Sequence, residues 1–134
     1  MEWSTKFELG IQNVDTQHKN IIERIDRLEI ALDSQVTSVT YSRLKEAHEF
    51  LESYVGNHFR EEEEMMEKGG YPDLAAHKLM HAKFENDLAK FREDLDHTGL
   101  ITHATAKLVR YLSDWFIDHI KNEDPKYVPF VKQL

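Results

Sequence analysis

The sequence predicts an all-α protein, an antiparallel up-down four-helix bundle with an N-terminal arm and a short C-terminal tail. Three observations predict it. Four long segments repeat apolar residues at steps of three and four, the period of one helix face. Only three prolines and five glycines interrupt the 134 residues, and they fall mostly between those segments. No period-two strand pattern is visible. A chain of this length is expected to form a single domain over residues 1–134, with a real core.

The first helix is expected from about Asp15 to Ser34, with His18, Ile21, Ile25, Leu28 and Leu32 on one stripe. The second is expected from about Tyr41 to Lys68, its stripe being Leu44, Ala47, Leu51, Val55, His58, Glu62 and Met65. Gly69-Gly70 ends it, because glycine accepts the left-handed conformation that closes helices. The third begins at Pro72, whose missing N–H has no helical partner in a first turn. Its stripe is Leu74, His77, His81, Phe84, Leu88, Phe91 and Leu95. The fourth starts near Ile101, carries Leu108, Tyr111 with Leu112, Trp115 and His119, and ends at Pro125. Short connections make such helices antiparallel neighbours. Trp3, Phe7, Leu9 and Ile11 form the arm, and the apolar tail from Tyr127 to Leu134 is expected to pack as well.

Composition narrows the function. A formal net charge of −8 argues against a nucleic-acid binder, which needs a basic footprint against phosphate. No stretch approaches the roughly 18 apolar residues of a membrane span, and the N-terminus has no apolar run of a signal peptide. A cytoplasmic, monomeric protein without nucleic-acid or membrane partners is expected. There are no cysteines, so thiolate metal sites and disulfides are excluded. Eight histidines in so short a chain stand out.

Five of them, His18, His58, His77, His81 and His119, lie on inward stripes, and every helix contributes at least one. His58 and Glu62 are one turn apart on one face, as are His77 and His81, and two such imidazoles can chelate one metal. Glu62 sits inside a run of four glutamates, Glu61 to Glu64. At about 100° per residue, Glu62 continues the buried stripe. Glu63 and Glu64 are expected to point largely to solvent, with Glu61 nearer the boundary. A lone histidine on an apolar stripe is commonly a satisfied core residue. Five with a carboxylate would leave many polar groups to satisfy, at about 1–3 kcal/mol for each unpaired one; a metal takes up those lone pairs. His48, His97 and His103 read as structural or solvent-exposed. On the last helix, geometry favours Glu123, four residues after His119. Asp124 precedes Pro125, and a residue before proline is pushed out of the helical region, so an unwound turn could swing its side chain inward. Both remain open on geometry. Gly56, inside the second helix, points to close approach of a neighbouring helix, with a small-molecule entry path as the alternative.

The residues resemble the hemerythrin family, most closely its single-domain bacterial members. W3-S-T-K-F-E-L-G-I and V14-D-T-Q-H18 are similar to the family's opening. H58-F-R-E-E62, H77-K-L-M-H81 and W115-F-I-D-H119-I-K-N-E-D124 follow in the family's order, with Tyr127 three residues on. The resemblance implies a non-haem site of two iron ions (Fe2+/Fe3+) with an oxo or hydroxo bridge. His77, His81 and His119 would bind one iron and His18 and His58 the other, with Glu62 and Asp124 bridging, so that Asp124 is favoured over Glu123. One position stays vacant, on the iron held by His18 and His58. The implied function is reversible dioxygen binding, for storage, delivery or sensing, rather than catalysis; a di-iron redox enzyme or a peroxide- or nitric-oxide-responsive module is the alternative. Phe59, Trp115, Phe116 and Ile22 would form the apolar shell around the bound oxygen. Two residues depart from the family's pattern: Pro125 directly after Asp124, and Phe116 where leucine is more usual.

Overall fold

The computed structural model describes residues 3–33, 38–98 and 101–132, with side chains over 3–30, 45–93 and 106–132. Four long helices account for most of the chain: α1 (Gln12–Asp33), α2 (Ser38–Gly69), α3 (Leu74–Thr98) and α4 (Ile101–Asp118). Helix α1 packs on α2 and α4, and α3 packs on the same two, which closes an up-down ring. A short helix α5 (Val128–Val131) folds back onto α2. The predicted bundle is the fold found. Leu32, Leu44, Leu95, His97 and His103 have side chains outside the described ones.

The arm is fixed before α1 begins. Ser4 Oγ accepts from the Lys6 N–H at 3.2 Å and starts a 3-10 turn over Thr5–Phe7 that buries Phe7. Asp15, in the first turn of α1, accepts from the Leu9 and Gly10 N–H groups at 2.8 and 3.1 Å. An acidic residue there also complements the helix dipole. Helix α2 ends as expected. Gly70 adopts φ +72°, and the Tyr71 N–H bonds the Met66 carbonyl at 3.0 Å. Gly69 serves a different need, since a Cβ there would stand 2.6 Å from the Phe130 carbonyl oxygen. The third helix starts at Leu74 rather than Pro72, which lies in the preceding turn.

Buried apolar residues form two clusters. The larger joins Phe7, Ile21, Ile22, Ile25, Leu51, Val55, Phe59, Phe84, Leu88, Leu108, Leu112, Phe116 and others. The smaller gathers Met66, Tyr71, Tyr127 and Val131 beneath the tail, with Leu9 and Ile11 of the arm against it.

Four expectations are corrected. Position 48, not 47, continues the α2 stripe: His48 is buried and Ala47 exposed. Seven residues separate His48 from Val55, which leaves them about 20° apart around the helix, against about 80° for Ala47. Gly56 is not required by close helix approach, because a Cβ there would meet only Glu85 Oε2 at an ordinary 3.8 Å. Pro125 does not end the helical path. The chain passes from α4 through a π turn (His119–Glu123) and a 3-10 turn (Asp124–Tyr127) into α5. Asp124 keeps helical dihedrals, φ −63° and ψ −37°, in spite of the proline that follows.

Candidate metal centre

Between the two apolar clusters lies a layer of buried polar side chains. His77 and His81 come from α3, one turn apart. His119 and Asp124 flank the π turn, and the Asp124 N–H bonds the His119 carbonyl five residues back. A π turn takes more residues per turn than an α-helix, so the residue at i+5 lies nearer the face of residue i than the α-helical separation of about 140°. That is why Asp124, and not Glu123, points inward: Asp124 is fully buried and Glu123 only half-buried. The proline is tolerated because the widened turn has already left the α-helical ladder.

The donor atoms fall into two sets, each with its atoms within 4.8 Å of one another: His77, His81, His119 and Asp124, and His18, His58 and Glu62. Both carboxylates reach across. Asp124 Oδ1 lies 2.9 Å from His119 Nε2 and 3.2 Å from His77 Nε2, while its Oδ2 lies 3.1 Å from His18 Nε2. Glu62 Oε1 lies 2.9 Å from His58 Nε2 and 3.8 Å from His81 Nε2. All seven residues are buried, none more than 3 % exposed.

These atoms are close but not satisfied by one another. Both nitrogens of His18, Nε2 of His58 and His77, Glu62 Oε1 and both oxygens of Asp124 are buried without a hydrogen-bond partner. Leaving so many polar atoms orphaned is costly. Imidazole and carboxylate donors converging in a dry core suit a divalent first-row metal. The residues present therefore fit a metal pair.

The electrostatics agree. Burial works against charge on His58, yet Glu62 and then Asp124 outweigh it, and its pKa stands above the ordinary imidazole value. His119 is likewise burdened by burial and raised overall by the carboxylate of Asp124. Burial opposes the charge of Asp124, but His119, with His18 and His77 close by, holds its carboxyl well below the usual range. His81 is depressed to about 2 by burial and by His119 and His77 beside it, so its ring is neutral. The two carboxylates thus favour positive charge in the layer, which a metal ion would supply.

Aromatic rings close the apolar side. Phe59 lies flat on His81, with centroids 3.7 Å apart, and Trp115 stacks on His119 at 4.3 Å. Phe116 meets His18 edge-on at 6.2 Å. Ile22, one turn beyond His18, is fully buried in the same cluster. Trp115 is only half-buried.

Three partners of this layer escaped the sequence reading. Tyr127 donates its hydroxyl to Glu62 Oε2 at 2.5 Å. Gln17 Oε1 lies 2.6 Å from His58 Nδ1. Glu63, expected in solvent, is buried with Oε2 2.7 Å from His81 Nδ1. The correction has a geometric reason. Helix α2 has a neighbour on each side, so its buried face spans two stripes, and Glu63 stands about 40° from buried Phe59. The burial of Phe59 was the available signal.

Residues 9–131 match the family model of the hemerythrin HHE cation binding domain. The chain is 34% identical over 130 residues to a bacteriohemerythrin of Stenotrophomonas maltophilia, covering 97% of this chain and 80% of that one. It is 32% identical to a bacteriohemerythrin of Methylococcus capsulatus, over 96% and 95% of the two chains. A crystal structure of wild-type hemerythrin superposes with a TM-score of 0.82 at 30% identity, covering 98% of this chain and 97% of that one. Bundle, polar layer and sequence likeness over nearly the whole chain lead to one conclusion: this protein belongs to the hemerythrin family.

Proposed function

We propose that this chain binds dioxygen reversibly at a pair of iron ions held between its helices. The observation that carries the reading is the double donor set: seven buried side chains, five of them with unpartnered atoms, divided into three histidines and two histidines, with two carboxylates reaching across. His77, His81 and His119 would hold one iron, His18 and His58 the other, and Glu62 and Asp124 both. When bound, the iron pair supplies electrons that oxygen takes up on binding and returns on release.

The rest is done by this chain's own residues. The set with only two histidines has the smaller donor count and leaves room for a small ligand. Ile22, Phe59 and Phe116 would supply the apolar surface that excludes water: Phe116 lies edge-on to His18, Phe59 lies on His81, and Trp115 covers His119. Excluding water and external acids keeps binding reversible. Tyr127 holds Glu62 by its hydroxyl. Every donor comes from one chain, so a single copy suffices.

Among the described residues, no helix is long and apolar enough to cross a membrane. The test is iron content together with the visible spectrum of the reduced protein, recorded without oxygen, in air, and after oxygen removal. The expected result is two irons per chain and an absorption band that appears with oxygen and fades without it. Irreversible conversion to a ferric spectrum with release of peroxide overturns the reading in favour of a redox enzyme.

A further inference from the structure

The four glutamates Glu61 to Glu64 take four different partners. Glu64 makes an exposed pair with Lys68 at 3.1 Å, of the kind that contributes little. Glu62 belongs to the polar layer. The two that flank it stand behind histidines. Glu63 accepts from His81 Nδ1, and Glu61 accepts from the side-chain amide of Gln17, whose oxygen faces His58 Nδ1.

A neutral imidazole has one N–H and one lone pair, and the partner of one nitrogen decides which nitrogen carries which. A carboxylate only accepts, so His81 carries its proton on Nδ1. Its Nε2 lone pair then faces the layer, where His119 Nε2 lies 3.2 Å away. The same logic holds for His58. Glu61 fixes the amide of Gln17 with its nitrogen outward, so the amide oxygen accepts from His58 Nδ1. Glu63 is itself held: Arg60 reaches it at 3.2 Å and Glu85 at 2.5 Å. The two supports differ in one respect, since the acceptor behind His81 is anionic and the acceptor behind His58 is a neutral amide.

Resting on the iron-pair reading above, we propose that Glu63 and Gln17 are positioning residues that support the two metal positions unequally. Glu63 holds His81 with its Nε2 lone pair toward the metal and adds negative charge behind the ring, and so strengthens the three-histidine position. Gln17 orients His58 without adding charge and leaves the two-histidine position the more electron-poor of the two. A carboxylate behind a ligating histidine both fixes its tautomer and raises its basicity, and losing such a partner weakens metal binding by about 10–100-fold.

The experiment loads wild type, Glu63→Gln, Glu63→Ala, Gln17→Ala and the double variant Glu63→Ala/Gln17→Ala with zinc. It follows zinc loss to a chelator and records the histidine ring nitrogens by NMR. Circular dichroism and melting of the metal-free proteins report folding. Wild type should lose two zinc ions slowly. Glu63→Ala should speed loss of one by about tenfold and shift the His81 Nδ1–H resonance. Glu63→Gln should keep that proton on Nδ1 yet still lose zinc faster than wild type. Gln17→Ala should speed loss of the other zinc, and the double variant both.

Unchanged zinc loss in Glu63→Ala overturns the proposal. So does faster loss of both ions in step with a lower melting temperature of the metal-free protein, which marks a purely structural role. Wild type that takes up neither zinc nor iron overturns the iron-pair reading itself, and this proposal with it. Wild type that loads fully, with variants that behave identically, overturns this proposal alone.

Discussion

Asp124 faces the histidines because its backbone N–H bonds the carbonyl of His119 five residues earlier, rather than four. One extra residue in that turn carries the carboxylate to the inner face and leaves Glu123 at the rim, where it pairs with Lys126 at 3.2 Å. Asp124→Ala is therefore expected to abolish loading of the metal pair. Glu123→Ala should retain full metal content. Metal analysis after dialysis against a chelator checks both. Retention in the first variant and loss in the second would reverse the assignment.

Tyr127 and Glu62 share a hydrogen bond of 2.5 Å in a site closed to water. Tyr127→Phe removes the donor and leaves a buried carboxylate oxygen alone. The expected loss is about 1–3 kcal/mol of stability, read from urea unfolding, with metal content kept.

The glycines of α2 should respond in opposite directions. Gly56→Ala places a Cβ in ordinary contact and removes backbone freedom from the unfolded chain; a gain of roughly 0.5–1 kcal/mol is expected. Gly69→Ala drives a Cβ against the Phe130 carbonyl and should cost about 1–3 kcal/mol. Chemical denaturation of the two variants beside wild type decides this.

Tyr111 donates its hydroxyl to Asp87 Oδ2 at 2.5 Å. Burial and the Asp87 hydrogen bond and charge push its pKa above the ordinary phenol value. A folded-state pKa above the unfolded one favours the protonated form in the native state. The contribution is therefore complete below pH about 10 and is lost as pH rises through the higher folded value. Tyr111→Phe should lower stability near neutrality and flatten its decline on the alkaline side. Urea midpoints at about pH 8 and about pH 11 measure that difference.

Much of this centre is legible in the sequence because a helix repeats. His18, His58, Glu62, His77 and His81 all lie on stripes that also carry Ile21, Val55 or Phe84, so period alone turns them inward. Asp124 is not legible that way. A constant 100° per residue selects Glu123, and only the family resemblance favoured its neighbour, since nothing in H-I-K-N-E-D-P announces a π turn. The resemblance pointed to the side chain that the structure buries beside the histidines, whereas the expected cause, unwinding before Pro125, is not the one found. Glu63 and Gln17 were missed for another reason. A stripe describes one contact line, and a bundle helix has two, so residues between the lines look exposed when each line is read alone. Gly56 shows the reverse error, a glycine assigned a close contact that the fold does not make.

The division of the apolar core into two clusters on either side of the polar layer has a consequence for how the protein comes apart. Each cluster packs within itself and is expected to open as its own unit, and the layer joining them is held by groups that, without metal, are poorly paired. A loaded centre rivets the two, so amide protons at both ends should exchange through one global opening. Stripped of metal, the smaller unit around Met66, Tyr71, Tyr127 and Val131 should open first, and its amides should exchange well ahead of those around Leu51, Leu88 and Leu112. The metal then governs whether the bundle unfolds as one body or two.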